Sequence, residues 1–261
     1  MPDVSGHYVH AVTMGDGAPT VMIHCALSSH TPLLPLANAV DGQVTLIDLP
    51  GHGRSDDWDG KPDYQTLVMD AAAACCDGPT HLIGHSFGAT AALRLAVERP
   101  DLVSRLTLIE PVYFAAAKST PEHAQHAKDF RPFVSAMLAG DEARAAAVFN
   151  DLWGAAAWAD TPARLQDKLT RRIHLIVAGA APIEEDAAGI TSAERLGTVN
   201  ASVTLIRGTD TQPVIRAIHD TLLARLPMAT DHEIAGAAHM VPITHAEDVA
   251  AIIRAADQET G

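Results

Sequence analysis

Short apolar runs alternate with longer alanine-rich segments along the 261-residue chain, and this alternation constrains the fold more than any other feature of the sequence. Runs rich in leucine or β-branched residues are typical of strands that helices bury on both faces. Each run ends where polar residues or glycines begin. The sequence therefore predicts an α/β fold with a doubly wound, mostly parallel sheet, and it places strands at 20–24, 44–48, 81–84, 106–110, 203–208 and, on a weaker pattern, 231–235.

Residues 111–200 separate two of these predicted strands, and they far exceed the roughly 12 residues that a crossover connection needs. Their pattern is helical, so we predict that 111–200 forms an inserted helical cap on a core made of 1–110 and 201–261. Aromatic side chains concentrate in this segment. They would either form the cap's own hydrophobic core or roof an apolar pocket. The aromatic residues are Tyr113, Phe114, Phe130, Phe133, Phe149, Trp153 and Trp158.

Charge and hydropathy exclude several classes of partner. Hydrophobic residues make up 48% and charged residues 19% of the chain, as in ordinary soluble proteins. The 18 basic and 32 acidic side chains give a net charge of −14, which repels nucleic-acid phosphates and anionic membrane surfaces. No stretch of about 18 uncharged apolar residues occurs. We therefore expect a small-molecule ligand and neither a nucleic acid nor a membrane; the sequence gives no oligomeric state.

The cysteines indicate a reducing compartment. Cys25, Cys75 and Cys76 are too few for a disulfide framework, and the adjacent pair is badly placed to form a bridge. Residues 1–12 show no basic region followed by an apolar stretch, so a cytoplasmic location is expected. Cys25 has no basic neighbour in the sequence that would lower its pKa. We predict that it is a small packed residue and not a nucleophile.

The pentapeptide Gly84-His85-Ser86-Phe87-Gly88 follows an apolar strand pattern and precedes a helix of small residues. This order is typical of a nucleophile elbow, a sharp turn between strand and helix that exposes the serine hydroxyl. The serine of such a turn has a strained backbone, and a side chain at either flanking glycine would collide with a neighbouring strand or helix. We predict that Ser86 is a nucleophile.

The chain resembles the α/β-hydrolase family in four motifs that occur in the family's order, and the resemblance runs from about Thr20 to the last helix. The motifs are the turn at 84–88, the segment 21–27, the loop 48–55 and the loop 237–242. The resemblance implies that the backbone N–H groups of Ala26 and Phe87 form an oxyanion hole. Cys25 stands where the family usually has glycine.

A serine hydroxyl is a poor nucleophile until a neutral imidazole accepts its proton. His239 is our candidate, because its loop follows a predicted strand and precedes a helix that the Thr244-x-x-Glu247 capping box signals. The other nearby histidines are expected to have structural roles. We expect His24 to shape the oxyanion loop, His52 and His85 to form structural hydrogen bonds, and His245 to lie on the surface.

Two carboxylates could orient this imidazole. Asp210 follows the penultimate strand and keeps the usual chain order of serine, acid and histidine. However, the acid in the family more often stands three residues after the glycine at 208, where this chain has Thr211. Glu110 ends the strand that follows the elbow helix, a position from which some members supply the acid. We favour Asp210 and keep Glu110 as the alternative.

No dinucleotide-binding glycine pattern, Walker sequence or metal-type spacing occurs, so neither a cofactor nor a metal is expected. We predict a serine hydrolase that cleaves a small to medium apolar carboxylic ester, lactone or thioester through an acyl-enzyme. Two alternatives stay open. The same triad could serve a carbon–carbon bond hydrolase, a perhydrolase or an acyltransferase, or the scaffold could be a non-catalytic small-molecule receptor.

Overall fold

The structure, a computed structural model, describes residues 3–259; residues 1–2 and 260–261 of the predicted core lie outside the described residues. The strands, in chain order, are β1 (Asp3–Val4), β2 (His7–Tyr8), β3 (Ala11–Met14), β4 (Pro19–Ile23), β5 (Gln43–Ile47), β6 (Thr80–His85), β7 (Val103–Ile109), β8 (Ser202–Gly208) and β9 (Ala229–Ile234). β1 and β2 form a separate antiparallel pair. The other seven form one sheet in the order β3-β5-β4-β6-β7-β8-β9.

The predicted parallel sheet is confirmed. All six predicted strands are present, and every neighbouring pair from β5 to β9 is parallel. The sequence did not indicate β3, which pairs with β5 in the antiparallel sense at the edge of the sheet. Its four residues are partly or fully exposed. A strand at an edge does not need the continuous apolar run by which we recognised the buried strands.

Helices cover both faces of the sheet. They are α1 (Leu34–Ala39), α2 (Tyr64–Ala73), α3 (Phe87–Glu98), α4 (Pro121–Asp129), α5 (Arg131–Leu138), α6 (Glu142–Trp153), α7 (Ala163–Arg172), α8 (His174–Ala178), α9 (Ala180–Glu185), α10 (Ala193–Leu196), α11 (Pro213–Arg225), α12 (Val241–Thr244) and α13 (Ala246–Glu259). One apolar cluster includes residues of α2, α3 and α11, and a second includes residues of α1 and α13. This two-sided packing is the doubly wound arrangement that the sequence predicts. None of the helices within 3–259 combines the length and apolarity needed to cross a bilayer.

The segment 111–200, all of which the structure describes, is built from α4 to α10 and short 3₁₀ turns, with no strand. A small apolar cluster that includes Phe133, Ala145 and Ile173 lies within this segment and also takes in Leu27. Trp153 instead belongs to the large cluster under the sheet. The segment thus packs on the remainder of the chain through shared apolar side chains. Its division from the core as a cap is our proposal.

The predicted capping box does not form, and this expectation was wrong. Thr244 is the last residue of α12, and its hydroxyl donates to the carbonyl of Met240 at 3.2 Å. The next helix, α13, begins at Ala246. A short helix between the histidine loop and α13 has displaced the threonine from the capping position. His245, predicted to lie on the surface, is partly buried.

A group of charged side chains ties β8 to β9 and α11. The carboxylate of Asp231 accepts hydrogen bonds from His219 Nδ1 at 2.7 Å and from Arg207 Nη2 at 3.2 Å. Arg207 also donates to Glu233. Burial alone would raise the pKa of Asp231, but the contacts with His219 and Arg207 outweigh burial and hold its pKa below the ordinary value.

We expect Asp231→Asn to lower the free energy of unfolding at pH 7 by about 2–3 kcal/mol, because Arg207 would lose one of its two carboxylate partners and His219 its charged acceptor. A carboxylate with a depressed pKa stabilises the fold above its unfolded-state pKa, and this contribution is lost as the pH falls through the folded-state value. The difference from wild type should therefore shrink below about pH 4. Urea unfolding across this range measures it, with the exposed Asp220→Asn as control. An equal effect of both substitutions would contradict the assignment.

Candidate active site

Ser86 lies at a tight turn between β6 and α3. Its backbone has φ 56° and ψ −117°, a left-handed conformation that is strained for any residue other than glycine. The Ser86 N–H donates to the carbonyl of Ile109 at 2.8 Å, which fastens the turn to the end of β7. Strand, turn and helix follow the order that the sequence predicted.

The two glycines of the turn are required by close backbone approaches. A β-carbon on Gly84 would lie 2.5 Å from Ala89 Cα, in the first turn of α3. A β-carbon on Gly88 would lie 2.3 Å from the carbonyl oxygen of Ile23, at the end of β4. Both predicted collisions are therefore present, one with the helix and one with the neighbouring strand.

A continuous chain of hydrogen bonds joins Ser86 to a buried carboxylate. Ser86 Oγ lies 2.9 Å from His239 Nε2, and His239 Nδ1 lies 3.0 Å from Glu110 Oε2. Because Nδ1 faces a carboxylate, it is the nitrogen that carries the ring proton, and Nε2 is free to accept the serine proton. This arrangement can deprotonate the hydroxyl and stabilise the resulting imidazolium.

Glu110 is fully buried and fixed by three donors. Besides His239, the backbone N–H of Gly208 donates to Oε1 at 2.8 Å, and the Thr211 hydroxyl donates to Oε2. Burial by itself would raise the pKa of this carboxyl group, but the three hydrogen bonds and the nearby imidazole outweigh burial and lower the pKa. Glu110 is thus held as a carboxylate in a protein interior.

The structure reverses the order in which the sequence ranked the two candidate acids. Asp210 is exposed; its carboxylate accepts a hydrogen bond from Thr209 Oγ1, and its backbone N–H donates to Ala237 O. The carboxylate within hydrogen-bond distance of His239 is that of Glu110. The preference for Asp210 is corrected for a geometric reason, because its carboxylate is exposed beside Thr209, whereas the Glu110 carboxylate contacts the ring. Thr211, which takes the family's usual acid position, supports Glu110 instead.

Two buried histidines shape the loop that carries Ala26. His24 Nδ1 donates to the Cys25 carbonyl at 2.6 Å, and its Nε2 accepts the N–H of Leu49. His52 Nε2 accepts the N–H of Leu27 at 2.8 Å. Burial lowers the pKa of His24 to about 4 and that of His52 well below its ordinary value, so both rings are neutral at pH 7.

Ala26 and Phe87 line the same cavity as Ser86. Among the hydrogen bonds within the described part of the chain, the backbone N–H of neither residue donates to a protein acceptor. The left-handed residue of the loop is Leu27, with φ 61°, and Cys25 has no positive φ. Position 25 therefore does not need glycine. The Cys25 side chain is buried, and burial raises the pKa of its thiol to about 12, as expected of a packed residue.

His85 supports the opposite side of the site. Its Nε2 donates to the backbone carbonyl of His239 at 2.9 Å, and the two rings lie 5.3 Å apart between centroids. Burial lowers the pKa of His85 to about 3, so the ring is neutral. The structural role that the sequence assigned to His85 is thus to hold the loop of the candidate base.

Ser86 and His239 lie at the junction of two cavities, which we call the wide branch and the narrow branch. The wide branch has a volume of about 320 Å³, within the ordinary range for small-molecule sites, and the narrow branch about 60 Å³. Phe149 and Trp153 line both. The aromatic residues of 111–200 therefore divide between the two predicted roles, because Phe133 packs inside the segment whereas Phe149 and Trp153 wall the cavity.

Two charged side chains that the sequence analysis did not single out line these branches. Lys168 lines the wide branch and Glu184 the narrow branch. Both lie on helices of 111–200 that no motif covers, so only the tertiary packing brings them to the cavity.

The described residues also bring together one group of possible metal ligands, which are His10, His30 and Asp48. One donor atom of each lies within 4.8 Å of the others. Asp48, however, accepts hydrogen bonds from His30 Nδ1 and from the N–H groups of His30 and Arg54, at 2.8–3.0 Å. Its oxygens thus already accept hydrogen bonds from the segments that carry His30 and Arg54. The sequence did not indicate this group because its members lie on three separate segments.

Comparisons with known proteins agree on one family. A model of the alpha/beta hydrolase family matches residues 20–252. Lipase LipV of Mycobacterium tuberculosis is 31% identical over 247 residues, which cover 87% of this chain and 85% of the lipase. The enol-lactonase from Burkholderia xenovorans superposes with a TM-score of 0.73 at 18% identity, over 97% of both chains. An alpha/beta hydrolase from Sphaerobacter thermophilus gives 0.71 at 18% identity, also over 97% of both chains.

We expect Gly88→Ala to destabilise the protein by about 2–3 kcal/mol, because the new methyl group must displace the end of β4 or the start of α3. Gly78→Ala is the matched control, since a β-carbon there has no neighbour within 4 Å. Thermal and urea unfolding of the two variants give the comparison. Equal stability of both variants would mean that the turn tolerates a side chain.

Proposed function

The chain belongs to the alpha/beta hydrolase family, and we propose that it is a serine hydrolase acting on small to medium, largely apolar carboxylic esters, lactones or thioesters through an acyl-enzyme. One observation carries the proposal. The hydrogen-bonded chain Ser86–His239–Glu110 ends, at the serine, on the floor of a mostly apolar cavity. Nucleophile, base and orienting acid are thus in contact where a substrate can enter.

In the first half-reaction Ser86 Oγ attacks the substrate carbonyl carbon while His239 Nε2 takes the hydroxyl proton. The imidazolium that forms is stabilised by Glu110, which stays ionised because its three donors favour the carboxylate. The tetrahedral intermediate then collapses and expels the alcohol or thiol, and His239 Nε2 donates its proton to this leaving group. The product of this half-reaction is the acyl-enzyme, in which Ser86 Oγ is bonded to the acyl carbon.

Negative charge develops on the carbonyl oxygen during the attack, and the N–H groups of Ala26 and Phe87 are the proposed donors to it. Removing one donor from such a hole typically costs about 3 kcal/mol of transition-state stabilisation. His24 and His52 hold the residues on either side of Ala26 through backbone groups. A donor fixed in this way needs no reorganisation when the charge appears.

In the second half-reaction water replaces the alcohol. His239 Nε2 takes a proton from the water as it attacks the acyl carbon, and the same nitrogen then protonates Ser86 Oγ as the acid leaves. The apolar walls of both branches favour aliphatic or aromatic groups on the two sides of the scissile bond.

The receptor alternative depended on two departures from the family pattern, and the geometry gives each a different explanation. The off-register Asp210 is not needed, because Glu110 contacts the imidazole. Glycine is not needed at position 25, because Leu27 takes the left-handed conformation. Carbon–carbon bond hydrolysis, perhydrolysis and acyl transfer would use the same three groups, and a panel of esters, lactones, thioesters and vinylogous diketones separates them by kcat/KM.

We expect Ser86→Ala to abolish covalent labelling by a fluorophosphonate and to lower p-nitrophenyl ester turnover by at least about 10⁴-fold, since the nucleophile is removed. Mass spectrometry of the labelled wild-type protein should place the adduct on Ser86. Undiminished labelling of the alanine variant would refute the assignment.

Glu110→Gln should lower kcat by about 10³-fold to 10⁴-fold, because a neutral amide neither fixes the ring tautomer nor stabilises the imidazolium. Asp210→Asn is the matched control, and we expect its kcat to stay within about twofold of wild type, as for an exposed surface change. Steady-state kinetics with one p-nitrophenyl ester decide between the two. A large loss in Asp210→Asn together with a normal Glu110→Gln would restore the acid that the sequence favoured.

A further inference from the structure

We propose that Lys168 is a binding residue for a carboxylate on the substrate, so that the preferred esters carry an anionic group away from the scissile bond. The inference rests on the proposed function and refines its substrate class. It assigns the anionic end of the substrate to the wide branch and a small apolar end to the narrow branch.

Lys168 lies on an otherwise uncharged wall of the wide branch. It lines the wide branch together with Ser86 and His239, and its other neighbours there are mostly apolar, such as Leu165 and Ile243. Within residues 3–259, no carboxylate lies within ion-pair distance of its ammonium group, and no protein acceptor takes a hydrogen bond from it. The lysine is thus a donor whose hydrogen-bonding capacity the protein does not use.

The position of the Lys168 ammonium group is electrostatically unfavourable. Lys168 is half-buried, and burial is the largest cause of its lowered pKa, followed by repulsion from Arg172. Asp48 favours the charged form but is itself occupied by the hydrogen bonds of His30 and Arg54. A partly desolvated ammonium without a partner is unfavourable, and an anionic ligand in the cavity would relieve this cost.

The two branches differ in charge and in volume. The narrow branch is lined by Glu184, which lies 3.7 Å from His123, and its volume of about 60 Å³ suits a group of one or two carbons. A carboxylate there would face a second acidic group and few donors. The wide branch has the ammonium and about 320 Å³, enough for a chain of several carbons. Charge and volume therefore both favour the anionic end of the substrate in the wide branch and its small apolar end in the narrow branch.

A pair of esters that differ only in terminal charge tests the proposal. Monomethyl adipate has a free carboxylate, and methyl hexanoate is neutral with the same acyl chain length. Acetylated 6-hydroxyhexanoate and hexyl acetate form the equivalent pair with the carboxylate on the alcohol side. We expect wild type to show a kcat/KM at least about tenfold higher for the anionic member of one pair, chiefly through KM.

Lys168→Met should lower the ratio of kcat/KM for the anionic ester to that for the neutral ester to about one, since methionine preserves the apolar stem of the side chain but lacks the ammonium group. Lys168→Arg should retain most of the preference. Arg171→Met is the matched control, because it removes a positive charge from an exposed position of the same helix, α7. If the control lost the preference equally, a general charge effect would replace the proposed contact.

Binding measurements keep this inference separate from the proposed function. Calorimetric titration of Ser86→Ala with both pairs of esters, and of the double variant that adds Lys168→Met, needs no turnover. Tighter binding of the anionic ester that depends on Lys168 supports the subsite even if wild type hydrolyses neither ester. Equal affinities within both pairs, or a preference that persists without Lys168, overturn it, whereas failure of the serine chemistry would appear as absent labelling of Ser86.

Discussion

The left-handed backbone at Ser86 is the constraint on which the site depends. Such a conformation costs about 1–3 kcal/mol for a residue with a β-carbon, and it persists because the surrounding structure leaves no alternative. Gly84 and Gly88 let α3 pack within backbone contact of β4 and β6. The chain must then reverse within one residue, and this reversal points the hydroxyl at the cavity.

The end of β7 positions both the candidate nucleophile and the candidate acid. Ile109 accepts the N–H of Ser86, and Glu110 next to it supplies the carboxylate that His239 contacts. His85 and Ile109 are paired in the parallel register of β6 and β7, so the spacing between Ser86 and Glu110 is set by the sheet. The imidazole comes from the loop after β9, and the hydrogen bond from His85 to the backbone carbonyl of His239 holds that loop in place.

The sequence predicted those parts of the site that local patterns encode. Ser86 could be found because strand, small-residue turn and helix are adjacent in the chain, and His239 because its loop follows a strand. The acid could not be chosen, because whether a carboxylate reaches the ring depends on the stagger of β7 and β8 and on side-chain length. Glu110, with one methylene more than aspartate, reaches the ring from a strand end, whereas Asp210 points outward.

The parts of the fold that the sequence did not predict are also those without a local pattern. Buried strands have continuous apolar runs, so all six were found, but the edge strand β3 has no such signal. His24 and His52 could be expected to form hydrogen bonds, yet their shared support of the Ala26 loop arises from contacts between segments 25 residues apart. Lys168 was missed for a similar reason, since a lysine on an amphipathic helix has the same sequence pattern whether it faces solvent or a cavity.

Packing also couples the shape of the cavity to the surroundings of the His239 ring. Trp153 belongs to the main apolar cluster, lines both branches of the cavity, and lies 4.6 Å from the His239 ring between centroids. A displacement of α6 would therefore change the width of the cavity and the surroundings of the imidazole at the same time. Because interiors are close-packed, the tryptophan cannot move without one of these neighbours following. Segment 111–200 thus walls the cavity and, through Trp153, contacts the ring of His239.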